Sequence, residues 1–265
     1  MPELPEVETT VRGLRRRVIG RRIRQVTVLT PATIRSPAPA RFTRALRGRR
    51  VLGVTRRGKF LVFTLDRDLV LLAHLRMTGD FAFTTPGRPR HPSTRVIFHL
   101  NGRDLRFVDT RRFGHMDLLP ASAVPGFEPL RRLGVEPLAR AFTVDRLREM
   151  LKVRRGMLKP LLLRQDVLAG IGNLYADEIL FQARLHPGRR VESLRPAEVR
   201  RLYLAIRQVL QRGVRGSARP GEPVGRLLDV RETDGPCPRC GAALVSRRLG
   251  GRTTYYCPVC QRPNA

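Results

Sequence analysis

Three groups of residues in this 265-residue chain have types and spacings that could do chemistry. The first is the start itself, Met1-Pro2-Glu3-Leu4-Pro5-Glu6-Val7-Glu8. Removal of Met1, usual before a small residue, would leave Pro2 with a free secondary amine and Glu3 beside it. An α-amino group titrates near ~8, so a useful fraction is nucleophilic at neutral pH, whereas a lysine amine would need its pKa lowered by ~2–3 units. The same residues also suit a plain capped helix, since proline is welcome at a first helical position and glutamate at the positive end of the dipole. The second group is Arg56-Arg57-Gly58-Lys59-Phe60, a tight turn entering a strand. Lys59, Lys152 and Lys159 are the only lysines among 52 basic residues. Where arginine is used almost everywhere, Lys59 hints that a group able to release its proton was wanted there, although a charged turn is commonly just solvated. The third group is Cys237-Pro238-Arg239-Cys240, followed after sixteen residues by Cys257-Pro258-Val259-Cys260. Two such knuckles make a tetrahedral thiolate site for one Zn2+, and four protein ligands leave no position for activating water, so the metal is structural.

The elements that must position these groups can be read from periodicity. Val7, Val11, Leu14 and Val18 recur at helical spacing behind the opening string. Seven arginines between residues 12 and 24 then read as a solvated helix face. Beyond them the period becomes two, with Val26 and Val28, then Val51 to Val54, Phe60 to Leu65, Leu69 to Leu75, Val96 to Leu100 and Leu105 to Val108. Short strands joined by turn signals such as Asn101-Gly102 predict an antiparallel sandwich or barrel. Prolines and glycines accumulate over 120–142, and helical spacing returns in Val144, Leu147 and Leu151 behind Thr143, a good N-cap. Gly170-Ile171-Gly172-Asn173 precedes another helix, and glycines there let backbone N–H groups crowd a phosphate oxygen. Val199, Leu202, Ile206 and Val209 mark a helix of packing character, and Thr253 to Tyr256 the second strand of a finger hairpin. The division expected is residues 1–120 as a β-rich domain carrying Pro2, 121–142 as linker, 143–230 as a helical domain and 231–263 as the zinc finger.

Charge narrows the partner. Fifty-two basic residues against 22 acidic give a net charge of +30. Such a surface binds polyanions, and since no hydrophobic run approaches ~18 residues the expected partner is nucleic acid and not membrane. An arginine preference this strong can also reflect codon usage or heat adaptation, which leaves the charge in place. No signal peptide is legible, so a cytoplasmic address is expected and four cysteines read as metal ligands and not disulfides.

The opening octapeptide resembles the N-terminus of bacterial formamidopyrimidine-DNA glycosylases, repair enzymes for oxidised purines, and the motifs above extend the resemblance over nearly the whole chain. The resemblance implies an α+β fold: an N-terminal helix, a two-sheet antiparallel β-sandwich, a helix–two-turn–helix domain and a zinc-finger β-hairpin. It implies a monomeric, bifunctional glycosylase and abasic-site lyase of base excision repair acting on double-stranded DNA. Pro2 would attack the sugar C1′, Glu3 act as an acid, Lys59 contact lesion and phosphate and help proton transfer, and Arg252, aligned by its distance to Cys257, assist the second elimination. Met77 in His74-Leu75-Arg76-Met77-Thr78-Gly79, with Arg111 and Phe113 in Asp109-Thr110-Arg111-Arg112-Phe113-Gly114, matches the trio that fills the space left by an everted base. By type alone Met77 and Phe113 are ordinary core or rim residues. Lys159 and Asn173, with Arg154 less firmly, would grip phosphates flanking the lesion.

Three places depart from the family pattern. A phosphate-contacting histidine is replaced by Ser93, with His91 two residues earlier, and either can be its substitute. Arg164 stands where relatives have Asp or Asn. The segment from Gly213 to Gly235, whose counterpart closes over the everted purine, is shortened and rewritten around Arg219-Pro220-Gly221-Glu222-Pro223. The alternatives are a sister glycosylase for oxidised pyrimidines and a zinc-finger DNA-binding protein without catalysis.

Overall fold

The structure is a computed structural model describing residues 2–216, 225–231, 233 and 235–263. It divides into two units, Met1–Pro2 with Val7–Arg131 and Glu3–Glu6 with Arg132–Ala265, so α1 (Leu4–Val18) contributes its first turn to one and the rest to the other. Met1 and the rewritten run Arg219 to Pro223 lie outside the described residues.

In the first unit β1 (Ile23–Val28), β2 (Ile34–Ser36), α2 (Pro39–Leu46), β3 (Val51–Arg57), β4 (Phe60–Leu65), β5 (Leu69–His74), β6 (Gly79–Thr84), β7 (Thr94–Leu100), β8 (Arg103–Asp109) and β9 (His115–Pro120) build two sheets, and α3 (Glu128–Arg131) ends it. One sheet runs β1-β7-β8-β6 and the other β2-β9-β5-β4-β3. Every pairing is antiparallel except the short β2 and β9. Both sheets and α1 share one apolar core, in which Val7, Val11, Leu14 and Val18 meet Phe63, Leu71, Phe98 and Phe107. Each such buried side chain contributes roughly 1.5–3 kcal/mol. The sandwich expected from alternation is therefore present, but α2, β2, β6 and β9 go beyond the strands read from the sequence. In β9 polar His115 and Asp117 alternate with apolar Met116 and Leu118, and all four are buried.

In the second unit α4 (Val144–Lys152) is capped by Thr143, whose Oγ1 accepts the Arg146 N–H at 3.1 Å. It is followed by α5 (Leu158–Leu163), α6 (Asn173–Ala183) and α7 (Pro196–Gly216). α6 is buried on nearly every side, from Tyr175 to Phe181, which marks it as the central helix of this unit. β10 (Val245–Leu249) and β11 (Arg252–Tyr256) form the terminal hairpin. No helix among the described residues is long and apolar enough to cross a membrane.

Candidate functional site

In the first unit the β3–β4 turn places Gly58 at φ 56°, a backbone conformation glycine adopts without strain, and leaves Lys59 only 7% exposed. Phe60 packs edge-on against His74, its cross-strand partner, at 4.7 Å, and His74 stacks on His115 at 5.4 Å. Burial first, then the charges of Arg76, His115, Lys59 and Arg35, depresses the His74 pKa to about 3. Burial and Arg35 bring His115 to about 4. Two neutral imidazoles therefore floor the lysine turn. Pro2 is half-buried at the head of the chain.

Met77 lies in the β5–β6 turn and Arg111 and Phe113 in the β8–β9 loop. Met77 is 39% and Phe113 53% exposed, unusual for large apolar side chains, and the Arg111 guanidinium lies 4.9 Å from the centre of the Phe113 ring. Arg76 and Arg112, each beside a member of the trio, have φ of 55° and 59°. Non-glycine residues reach that region at a cost of roughly 1–2 kcal/mol each. These loops are held in place against local strain.

Beside them a cavity of about 660 Å³ is lined by Thr30, Arg90, His91, Arg95 and Arg112 among others. His91 is exposed on this basic wall, whereas Ser93 is buried and donates its backbone N–H to His91 Nδ1 at 3.0 Å. Of the two candidates for the missing histidine, His91 is the accessible one.

In the second unit the α6 N-terminus is already filled. The Glu3 carboxylate accepts N–H groups from Gly172 (2.7 Å), Leu174 (2.9 Å) and Tyr175 (3.2 Å), and is 1% exposed. A Cβ on Gly172 would lie 2.3 Å from Glu3 Cδ, so glycine is required there. The phosphate expected at this helix end is thus replaced by the chain's own carboxylate, which the dipole favours for the same reason. Glu6 braces the arrangement, accepting the Glu3 N–H at 2.8 Å and the Tyr175 hydroxyl at 2.7 Å. Spacing showed neither pairing, because the partners are 169 residues apart.

A second correction concerns Lys159. Its side chain has no exposure, and its Nζ sits 2.6 Å from Asp177 Oδ1 while donating to Thr253 O (3.0 Å) and Thr254 Oγ1 (2.8 Å). A side chain so enclosed has no face for a phosphate; it ties α5 and α6 to β11. Arg231 adds a 3.4 Å contact to Asp177. Burial lowers the Lys159 pKa and raises that of Asp177, each opposed by the other's charge. Asn173 is half-buried and donates to Thr253 O at 3.0 Å. Arg154, also half-buried, donates to Met150 O at 2.5 Å.

The four cysteines converge, with all Sγ atoms within 4.8 Å of one another. Cys237–Cys260 is 4.0 Å and Cys240–Cys257 3.5 Å, too long for disulfides. Four thiolates about a zinc ion at ~2.3 Å stand ~3.8 Å apart, so the group fits one structural zinc. The knuckles pack on Phe181 and Leu227, and Gln261 ties Cys257 to Leu185. At the hairpin tip Gly250 and Gly251 have φ of 54° and 74°, the pattern of a tight two-residue turn, and Arg252 emerges from it exposed.

Family models cover most of the chain. Residues 1–116 match the formamidopyrimidine-DNA glycosylase N-terminal domain, 133–220 the H2TH domain of the same glycosylase, and 235–263 a zinc finger found in FPG and IleRS. The chain is 42% identical to the formamidopyrimidine-DNA glycosylase of Pelotomaculum thermopropionicum, covering 99% of each, and 45% identical to that of Moorella thermoacetica, covering 92% and 93%. Among solved structures it is similar to Lactococcus lactis Fpg in complex with abasic-site DNA, with TM-score 0.91, 30% identity and coverage of 98% and 99%. The same Lactococcus protein bound to FAPY-dG DNA gives TM-score 0.90.

Proposed function

The chain belongs to the formamidopyrimidine-DNA glycosylase family, and on that premise we propose a bifunctional glycosylase and abasic-site lyase of base excision repair that acts on oxidised purines in duplex DNA. The Pro2 nitrogen bonds to C1′ of the damaged nucleotide as the C1′ bond to the base breaks, and the base leaves carrying the electron pair and a proton. Glu3, next in the chain, takes up the proton shed by the Pro2 nitrogen and passes it to the opening sugar ring, giving an iminium at Pro2. Loss of a C2′ proton expels the 3′ phosphate, a second elimination expels the 5′ phosphate, and water frees Pro2. Lys59 contacts the lesion and carries protons, and Arg252 assists the second elimination. Met77, Arg111 and Phe113 fill the emptied space, with Arg111 facing the widowed base, which offsets part of an eversion cost of a few kcal/mol. Asn173, Arg154 and His91 contact backbone phosphates. When bound, zinc folds the finger and takes no substrate, because protein thiolates fill its positions. The working form is a monomer.

The observation that carries this reading is the anchored start of the chain: Glu3 held by three N–H groups and Glu6 leaves Pro2 as the residue preceding a fixed point. Borohydride should trap the protein covalently on abasic-site DNA, and Pro2→Gly should abolish most of that product. Trapping of equal yield by Pro2→Gly would sink the proposal. A second substrate class is also supported, since the Lactococcus protein has been solved with DNA containing an oxidised pyrimidine. Excision from 8-oxoguanine and thymine-glycol duplexes compares the two.

A further inference from the structure

The trio proposed to occupy the emptied stack is exposed and borne by two separate turns with strained backbones, so something beneath must set its position. Asp109 lies between those turns. It is fully buried at the end of β8, with its N–H donated to Ser93 O at 2.8 Å and its carbonyl accepting Arg95 Nε at 2.8 Å. Its Oδ1 accepts the Thr78 hydroxyl, from the residue after Met77, and the Arg111 N–H at 3.2 Å. Its Oδ2 accepts the Gly114 N–H, from the residue after Phe113, at 2.7 Å. Thr78 Oγ1 accepts the Arg111 N–H at 3.1 Å, closing the link between the turns. Gly79 and Gly114 both press on Phe107, where an added Cβ would lie 2.9 and 2.5 Å from its Cζ, so the turns sit on one floor.

We infer that Asp109 is the positioning residue of the wedge: one carboxylate fixes Met77, Arg111 and Phe113 as a single body able to enter a base stack. The inference rests on the role given to the trio under the proposed function. A carboxylate with two acceptor oxygens suits three convergent donors, and an amide cannot replace it, since its NH2 would face a backbone N–H or a hydroxyl hydrogen. The expected defect is in opening the duplex and not in the chemistry at C1′.

The test uses the full-length protein and a lesion duplex with 2-aminopurine beside the damaged base, whose fluorescence rises as stacking is lost. A second substrate, a short single-stranded oligonucleotide with an abasic site, needs no wedge and is read by borohydride trapping. Asp109→Asn and Thr78→Val should slow the fluorescence rise about tenfold or more, as expected for losing a buried charge-assisted hydrogen bond. Thr78→Ser, which keeps the hydroxyl, should restore it, and single-strand trapping should stay within about twofold for all three. Unchanged opening by Asp109→Asn and Thr78→Val would overturn the assignment. So would a parallel fall in single-strand trapping, which would show Asp109 acting through the fold. Absence of trapping by the unaltered protein, with opening still dependent on Asp109, would sink the Pro2 chemistry and support the wedge assignment.

Discussion

At residue 3 one carboxylate accepts three backbone N–H groups at the head of a buried helix, and the second residue of the chain is the group proposed to attack DNA. The two facts belong together, because a nucleophile at a chain terminus is useful only if the terminus is held. Glu3→Gln keeps the shape but turns one acceptor into a donor aimed at N–H groups. Leaving a buried donor unsatisfied costs about 1–3 kcal/mol, so the melting temperature should fall by several degrees. Trapping on abasic DNA should fall with it at temperatures where the variant is folded. A variant as stable as the parent would show that the cradle does not need the charge.

The finger hairpin illustrates an element that cannot stand alone. β10 and β11 bury little of their own surface, and their hold on the unit comes through Lys159, Asn173 and Asp177, which receive or bind Thr253, Thr254 and Tyr255. Zinc closes the other end at Cys237, Cys240, Cys257 and Cys260. Removing the metal with a chelator should release the hairpin, expose its amides to hydrogen exchange and abolish duplex binding together with Arg252's contribution. Metal-free protein, verified by elemental analysis, that still binds duplex with unchanged affinity would refute this. This packing leaves no mark in local spacing, because the neighbours of Lys159 in space are 94 and 95 residues away.

On the scale of the whole molecule the governing quantity is charge. Three lysines leave 49 arginines among the 52 basic residues, against 22 acidic ones. Guanidinium cannot be neutralised near physiological pH, so DNA affinity should depend strongly on salt and weakly on pH between about 6 and 9. Each phosphate neutralised contributes a slope of about −0.9 in log affinity against log salt, and six or more contacts imply a loss of about 10³-fold between ~50 and ~200 mM. Fluorescence anisotropy with undamaged duplex measures it. A slope near zero would mean the arginines serve stability or composition and not DNA.

What the sequence determined by itself was whatever depends on near neighbours. Phe60 to Leu65 read as a strand and are β4, Thr143 read as an N-cap and is one, and the cysteine spacing implied a site whose sulfurs do converge. Hydrophobic period, cap chemistry and ligand spacing are local, so they survive without coordinates. Tertiary structure alone decided the rest: that Glu3 and not a phosphate fills the α6 N-terminus, that Lys159 turns inward, that His91 faces out while Ser93 is buried, and that Asp109 gathers two turns. The physical reason is that a polar side chain takes whichever complementary partner the fold brings to it at low dielectric, and partners distant along the chain leave no trace in local spacing.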